Sequence, residues 1–174
     1  DWNITDMHHL SLRYTYVKNR FWNTPNASSM DGGTRSAYGR VSQYSMSFAN
    51  SMYGMDNIVH SLAAELNSRL NDKMFNNFRI TFDKKDDIRS SESAEFPFID
   101  ILDGSGENNN YMALGYELFT WNNGVHNTVW QVKDDFTYFL GNHKLTAGVF
   151  YEHQMADNSY MRNGTGYYRY NSVD

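Results

Sequence analysis

Residues 139–151 contain a tight turn followed by a strongly alternating strand, and this combination limits the folds open to the chain. Gly141 and Asn142 are residues that readily take the positive φ of a tight turn. Beyond the turn, Leu145 begins a run in which every second residue is apolar, while the residues between are mostly small or polar. A period of two is the pattern of a half-buried β-strand.

The plan of turn and alternating strand recurs along the chain, with turn centres near Asp6, Asp72 and Asn142 that lie roughly 70 residues apart. Connections of roughly 30 to 40 residues separate the hairpins, whereas a soluble β-sandwich shows turn signals about every 8–12 residues. Short turns that alternate with long loops are the up-and-down plan of an outer-membrane barrel. We therefore predict an all-β, antiparallel part of a large transmembrane barrel, with short periplasmic turns and long extracellular loops.

The predicted strands are consecutive antiparallel neighbours, with tight turns at 71–73 and 141–143. They cover 9–20, 58–70, 74–84, 127–140 and 144–155. The whole of 1–174 is predicted to be a partial barrel domain without a plug. Its extracellular loops are predicted at 23–57, 86–126 and 157–174. A helix is the alternative for 58–70, because Ala63-Ala64-Glu65-Leu66 is good helical material.

The alternation also sorts the charged residues of the strands onto one side. We predict that five of them face the barrel lumen and pair there: Arg13, Glu65, Arg69, Arg79 and Asp83. Asp134 interrupts the apolar side of its strand. Because a carboxylate that faces lipid is costly, we expect a bulge near 133–135 or a position close to the barrel rim.

Composition excludes several classes of protein. The net charge of −5 argues against nucleic acid as a partner, since basic residues neither dominate nor cluster. No apolar run approaches the ~18 residues of a transmembrane helix. The chain has no cysteine, and therefore no disulfide and no thiolate metal site. It begins in mid-pattern without a signal peptide, and we expect it to be a piece of a longer protein.

Thirteen Tyr, eleven Phe and four Trp are a large aromatic content for 174 residues. Aromatic residues favour strands in any β-protein, and in a barrel they also form girdles at the membrane interfaces. In loops they can contact sugars or peptides. The loop at 86–126 concentrates the predicted substrate-binding residues: Phe96, Phe98, Tyr111, Tyr116, Phe119 and Trp121. The alternative is that these side chains only fold the loop.

No motif indicates an enzyme or a cofactor. The segment 103–109 has oxygen ligands at alternate positions, but it lacks the glycine and the glutamate that complete a calcium loop. His8 and His9 are adjacent, so on a strand they point to opposite sides and do not chelate one ion together. Neither a nucleophile elbow nor a phosphate-binding glycine loop occurs. We predict no catalytic residues, no metal and no cofactor.

Three segments resemble a known family. They are Phe96-Pro97-Phe98-Ile99-Asp100-Ile101, the run from Gly115 to Val125 that contains Trp121-Asn122-Asn123-Gly124, and Phe136-Thr137-Tyr138 before Gly141-Asn142-His143-Lys144-Leu145-Thr146. Together they resemble the barrel of TonB-dependent outer-membrane transporters of Bacteroidetes. The nearest subset is the Oar-like and SusC-like receptors that carry a carboxypeptidase-regulatory-like domain.

The resemblance implies a bacterial outer-membrane location and a barrel of about 22 strands with a plug in its lumen. It implies active import of large nutrients such as oligosaccharides or peptides. The implied partners are outer-membrane lipid, TonB through an N-terminal part that these residues do not contain, and a surface lipoprotein lid. Two alternatives remain open, namely a soluble all-β glycan-binding module and a structural outer-membrane barrel or adhesin. In the module, the apolar sides of the strands would pack against a second sheet instead of lipid.

Overall fold

The computed structural model describes residues 1–27 and 38–174. Within these ranges the chain forms ten β-strands and one short 3-10 helix, Ala49–Ser51. The strands are β1 (Trp2–Thr5), β2 (His8–Asn23), β3 (Met46–Ser47), β4 (Tyr53–Asn71), β5 (Met74–Ser90), β6 (Phe98–Leu102), β7 (Asn110–Leu114), β8 (Gly124–Leu140), β9 (His143–Ser159) and β10 (Tyr167–Tyr170). None of the described segments is a helix long and apolar enough to span a membrane.

Six strands form one sheet in the order β1-β2-β4-β5-β8-β9. The five predicted strands are confirmed, and each is three to six residues longer than predicted. The predicted helical alternative for 58–70 is wrong, because these residues lie inside β4. Alternation of apolar and polar side chains outweighs the helix propensity of four residues, since a strand places Glu65, Asn67 and Arg69 on one side and Leu62, Ala64 and Leu66 on the other.

The tight turns are as predicted. Gly141 has a φ of 57°, which is the left-handed conformation that a two-residue turn between β8 and β9 requires. Each turn of the first two hairpins also bonds to the next hairpin. The amide of Arg69 donates to the carbonyl of Met7 at 2.7 Å, and that of Phe139 donates to Lys73 at 2.9 Å. These bonds hold the turns at one common end of the sheet.

The three segments predicted to be long loops carry a second sheet that the sequence analysis did not predict. Its order is β10-β6-β7-β3, so each of the three segments contributes at least one strand. β6 and β7 are antiparallel, whereas β10 runs parallel to β6 and β3 runs parallel to β7. The extracellular position of these segments stays a prediction. Ten residues of the first loop, 28–37, lie outside the described ranges.

The chain divides into two compact units. Unit 1 comprises Asp1–Lys18, Ile58–Asp86 and His126–Asp157. Unit 2 comprises Asn19–Asn57, Asp87–Val125 and Asn158–Asp174, and it contains the four-stranded sheet.

One side of the four-stranded sheet forms the core of unit 2. Phe98 and Ala113 are fully buried and pack with Leu118, while Phe119 and Tyr167 cover this cluster. The core is small, because only four hydrophobic residues of the described chain are fully buried. Apolar burial alone is therefore a weak source of stability for this unit.

An ion pair completes the core. The guanidinium of Arg40 donates twice to the carboxylate of Asp100, at 2.8 and 2.6 Å, and both side chains are inaccessible to solvent. Asn110 donates to the same carboxylate at 2.8 Å, as does the hydroxyl of Tyr167. Arg40 also donates to the carbonyl of Asn26 at 2.7 Å. Burial, together with the bond to Asp100, raises the pKa of Tyr167, so this phenol remains a donor.

Removal of one member of this ion pair should destabilise unit 2. We expect Asp100→Ala to lower the opening free energy of β6 and β7 by about 3–5 kcal/mol, because it leaves the Arg40 charge buried and unpaired. Hydrogen exchange of peptides from 98–114, followed by mass spectrometry, measures this change. The double variant Arg40→Met, Asp100→Leu should lose much less of this opening free energy, because no charge is left unpaired. Glu107→Gln, on an exposed carboxylate of the same unit, is the control, and equal protection in all three variants would contradict the role of the pair.

Candidate functional site

One side of the six-stranded sheet in unit 1 is polar, and its charged groups converge. Arg13 on β2, Glu65 on β4 and Arg79 on β5 border one cavity of about 270 Å³, together with Ser11, Ala63 and Thr81. Each of the three strands contributes two of these residues, and the two are two positions apart in the chain. Strand alternation therefore places both on the same side of the sheet. We call this side of the sheet the polar side.

Glu65 is the centre of the polar side. Its carboxylate accepts hydrogen bonds from Arg79 at 2.9 and 2.5 Å, from Asn77 at 2.8 Å and from Asn67 at 3.0 Å. Arg79 and Asn77 lie on the neighbouring strand, so these bonds cross from β4 to β5. A carboxylate with this many donors is held ionised and in one position.

The polar network continues across the sheet to β9. Thr81 donates to Gln131 at 3.0 Å, and Gln131 donates to Glu152 at 2.7 Å, which links β5, β8 and β9. Farther along the same strands, Gln154 donates to Asn127 at 3.0 Å. The polar side therefore carries side-chain hydrogen bonds between each pair of neighbouring strands from β4 to β9.

The structure brings together three of the five residues predicted to face the lumen, namely Arg13, Glu65 and Arg79. Arg69 forms its ion pair with Asp72 in the adjacent turn, and Asp83 does not border this cavity. That these five residues face the lumen and pair there stays a prediction, with a local partner observed for Arg69. It lies at the end of β4, where the nearest carboxylate belongs to the turn.

The opposite side of the sheet is apolar and aromatic. The rings of Phe82 and Trp130 lie 4.5 Å apart between β5 and β8. β8 runs unbroken through Asp134, whose carboxylate accepts a hydrogen bond from Asn76 of β5 at 2.6 Å. The amide partner on the neighbouring strand explains how a carboxylate is tolerated on this side. We call it the apolar side.

The aromatic residues predicted to bind substrate differ in their accessibility. Phe98 is 0% exposed in the core of unit 2, so the prediction is wrong for Phe98: no ligand can reach its ring. The alternation of β6 points this side chain inward. Phe96 and Tyr111 are exposed.

The remaining three predicted residues have structural contacts. Phe119 packs on the core, and the guanidinium of Arg162 lies 5.3 Å from its ring centroid. The indole of Trp121 packs on Gly164, where a Cβ would overlap the ring. Tyr116 is half-buried, and burial, with a smaller effect of Glu95, raises its pKa. These contacts favour a role in folding the loop.

The loop 103–109, which resembles a calcium site, is held by hydrogen bonds between its own residues. Asp103 accepts hydrogen bonds from the amide and hydroxyl of Ser105 at 3.0 and 2.6 Å, and from Asn109 at 3.0 Å. These donors lower the pKa of Asp103. Among residues 1–27 and 38–174, no three His, Asp or Glu side chains lie in a position to share a metal ion.

The buried polar group formed by Arg40, Asp100 and Tyr167 was not predicted from the sequence. Part of the sequence pattern that indicates this group is local, because Phe98, Asp100 and Leu102 alternate with Ile99 and Ile101 as in a strand. An acidic residue at the centre of such a pattern indicates a buried partner. The position of Arg40, 60 residues away, has no signal in the local sequence.

A sheet of long up-and-down strands, polar on one side and apolar on the other, defines the wall of a transmembrane β-barrel. Comparison with known families agrees: the family described as "Outer membrane beta barrel domain" matches residues 1–174. The chain therefore belongs to this family and is a protein of the bacterial outer membrane. Its six strands form an open sheet. No curated protein and no solved structure matches the chain.

Adjacent alanines on β4 test the assignment of the two sides. Ala63 borders the polar cavity, so Ala64 lies on the apolar side. Ala64→Arg should destabilise the folded protein in a bilayer by about 2–4 kcal/mol, because it places a charge in lipid. Ala63→Arg is the matched control, and it should cost far less because Glu65 is close. Urea unfolding in lipid vesicles measures the free energy of unfolding of both variants. An equal loss of this free energy in the two would contradict the assignment.

Proposed function

We propose that this chain is part of the barrel of a TonB-dependent active transporter of the SusC-like type from Bacteroidetes, which imports large nutrients such as oligosaccharides or peptides. The observation that carries the proposal is the hydrogen-bonded polar side, with Glu65 and Arg79 at its centre. The resemblance of the 96–101, 115–125 and 136–146 segments to such receptors supports the same class.

A wall of this kind suits a wide lumen that holds water and protein. In a small barrel, side chains from opposite walls fill the interior, whereas large barrels enclose a channel or a plug. Here charged and neutral polar groups bond to neighbours on the same wall, across β4, β5, β8 and β9. Such pairing keeps the wall hydrophilic without a partner on the far side of the lumen. This is the surface that a lumenal plug would slide against or dock on.

The connecting segments support a role in substrate capture. Unit 2 contains its own four-stranded sheet and a buried ion pair, so it has the means to hold a defined surface. A preorganised surface binds more tightly than a loop that must be ordered first. In this proposal, unit 2 supplies the contacts that select the nutrient.

The partners follow from the class. Outer-membrane lipid covers the apolar side of the strands, in agreement with the family. TonB, reached through a plug and an N-terminal segment, and a lipoprotein lid at the cell surface belong to the proposal. The alternative of a soluble glycan-binding module is wrong, because the chain belongs to a family of outer-membrane barrel domains. The alternative of a structural barrel or adhesin is the competitor that experiments must separate.

The proposal predicts uptake that requires energy. Cells that make this protein should accumulate its nutrient, and deletion of its gene should abolish that accumulation. Both a protonophore and loss of TonB should reduce uptake about tenfold or more while surface binding is retained, because TonB couples transport to the proton gradient. Labelled oligosaccharide and peptide pools separate the two nutrient classes. Growth and uptake that depend on neither TonB nor the gradient, with a normal amount of barrel in the membrane, would assign a structural or adhesive role instead.

A further inference from the structure

The four-stranded sheet of unit 2 has one side that its core does not use. Its pairing register places two rows of side chains there. The first row is Tyr168, Ile99 and Leu114. The second row is Tyr170, Ile101, Met112 and Met46. We call these seven side chains the outer face; none of them is ionisable apart from the two tyrosines.

The two sides of the sheet differ sharply in exposure. On the core side, Phe98, Asp100 and Ala113 are all 0% exposed. On the outer face, Tyr168 and Tyr170 are 55% and 54% exposed, and Met46 is 50% exposed. The aliphatic side chains between them are half-buried. An apolar patch of this kind on a folded unit is typical of a binding surface.

The charges of unit 2 indicate what the outer face binds. The three segments of the unit contain ten acidic residues, six arginines and no lysine. Within the described part of the unit, Arg40 and Arg89 form ion pairs with the buried Asp100 and Glu117, and Arg20 pairs with the buried Asp56. These three ion pairs compensate three of the six arginines with buried carboxylates.

Several acidic residues of the unit are exposed, and one of them, Glu92, interacts electrostatically with Arg20. Five carboxylates of the described unit are exposed, and they flank the strand β6 at both ends or follow it in the chain. They are Glu92, Glu95, Asp103, Glu107 and Asp174. The ends of β6 and β10 meet at the loop that carries Asp103, since the backbone of Asn171 and the side chain of Ser172 lie beside Gly104. An apolar surface with an acidic border attracts a ligand that is apolar and cationic.

We propose that the outer face of the four-stranded sheet is the binding surface for a cationic, amphipathic peptide. Apolar side chains of the peptide pack on the two tyrosines and the aliphatic rows, and its lysines or arginines lie against the surrounding carboxylates. The inference rests on the proposed transport function and narrows its substrate class from oligosaccharides or peptides to peptides of this chemistry.

The composition of the outer face disfavours a neutral oligosaccharide. Sugars are recognised by directional hydrogen bonds from amides, carboxylates and hydroxyls beside an aromatic ring. The two rows provide only the phenol hydroxyls for this purpose. Methionine and tyrosine side chains, in contrast, adapt to varied peptide side chains.

Peptide binding to the purified protein tests the inference. The protein is placed in phosphatidylcholine nanodiscs, and the probe is a short fluorescent peptide of alternating lysine and leucine, measured by anisotropy against empty nanodiscs. Tyr168→Ala with Tyr170→Ala should weaken binding about tenfold, because the exposed rings supply the central contacts. Glu95→Gln with Glu107→Gln should weaken it several-fold and reduce its dependence on salt.

Matched controls separate the surface from general effects. Tyr160→Ala removes an equally exposed tyrosine of unit 2 outside the sheet, and Asp6→Asn removes an exposed carboxylate of unit 1; neither should change affinity. A peptide with glutamate in place of lysine should bind far more weakly. Unchanged affinity in the double tyrosine variant, equal binding of the acidic peptide, or displacement of the probe by maltohexaose would overturn the inference.

Uptake experiments keep this inference distinct from the transport proposal. If maltohexaose is imported in a TonB-dependent manner and the cationic peptide does not bind, transport stands and the substrate inference is wrong. If the peptide binds at the tyrosines but no energised uptake occurs, the binding surface stands and transport is wrong.

Discussion

Backbone pairing between the long strands is the constraint on which the rest of the structure depends. A strand satisfies none of its own amides and carbonyls, and in lipid no water replaces a missing partner, so every spanning strand requires neighbours. Bonds from Arg69 to Met7 and from Phe139 to Lys73 extend this pairing from one hairpin to the next. Because side chains alternate, the register fixed by these bonds also decides which residues meet lipid.

The polar side follows from that register. Glu65 meets Arg79 and Asn77 only because β4 and β5 are paired in one alignment. A slip of one residue would turn Arg79 toward the apolar side and bring Ile80 into the polar network. The charged network and the apolar side therefore stabilise the same alignment from opposite sides of the sheet, and Asn76 compensates for Asp134, a carboxylate that the alignment places on the apolar side.

Unit 2 is organised differently, with few buried apolar residues around a buried ion pair. Replacement of a buried ion pair by apolar residues often preserves stability. We therefore expect this pair to contribute to conformational specificity. Asp100 accepts from Arg40, Asn110 and Tyr167, which come from three separate parts of the chain. Only one arrangement of the connecting segments satisfies all of these groups. The same arrangement buries Arg40 against Asp100, while five carboxylates of the unit remain exposed and give the outer face its charged border.

The sequence by itself determined the long strands, their tight turns, the sorting of Arg13, Glu65 and Arg79 to one side, and hence the class of barrel. These features depend on a period of two and on turn residues, which are local in the chain. Only the tertiary structure decided that the long connections form a second sheet, that Phe98 is buried there, that Arg69 pairs within its own turn, and that Tyr168 and Tyr170 share an exposed face. β3, β6 and β10 are short strands whose partners lie far apart in the chain, with parallel pairing of β10 to β6 and of β3 to β7. Such pairing is fixed by long-range contacts such as Arg40 with Asp100, and no local pattern encodes the partner of a buried charge.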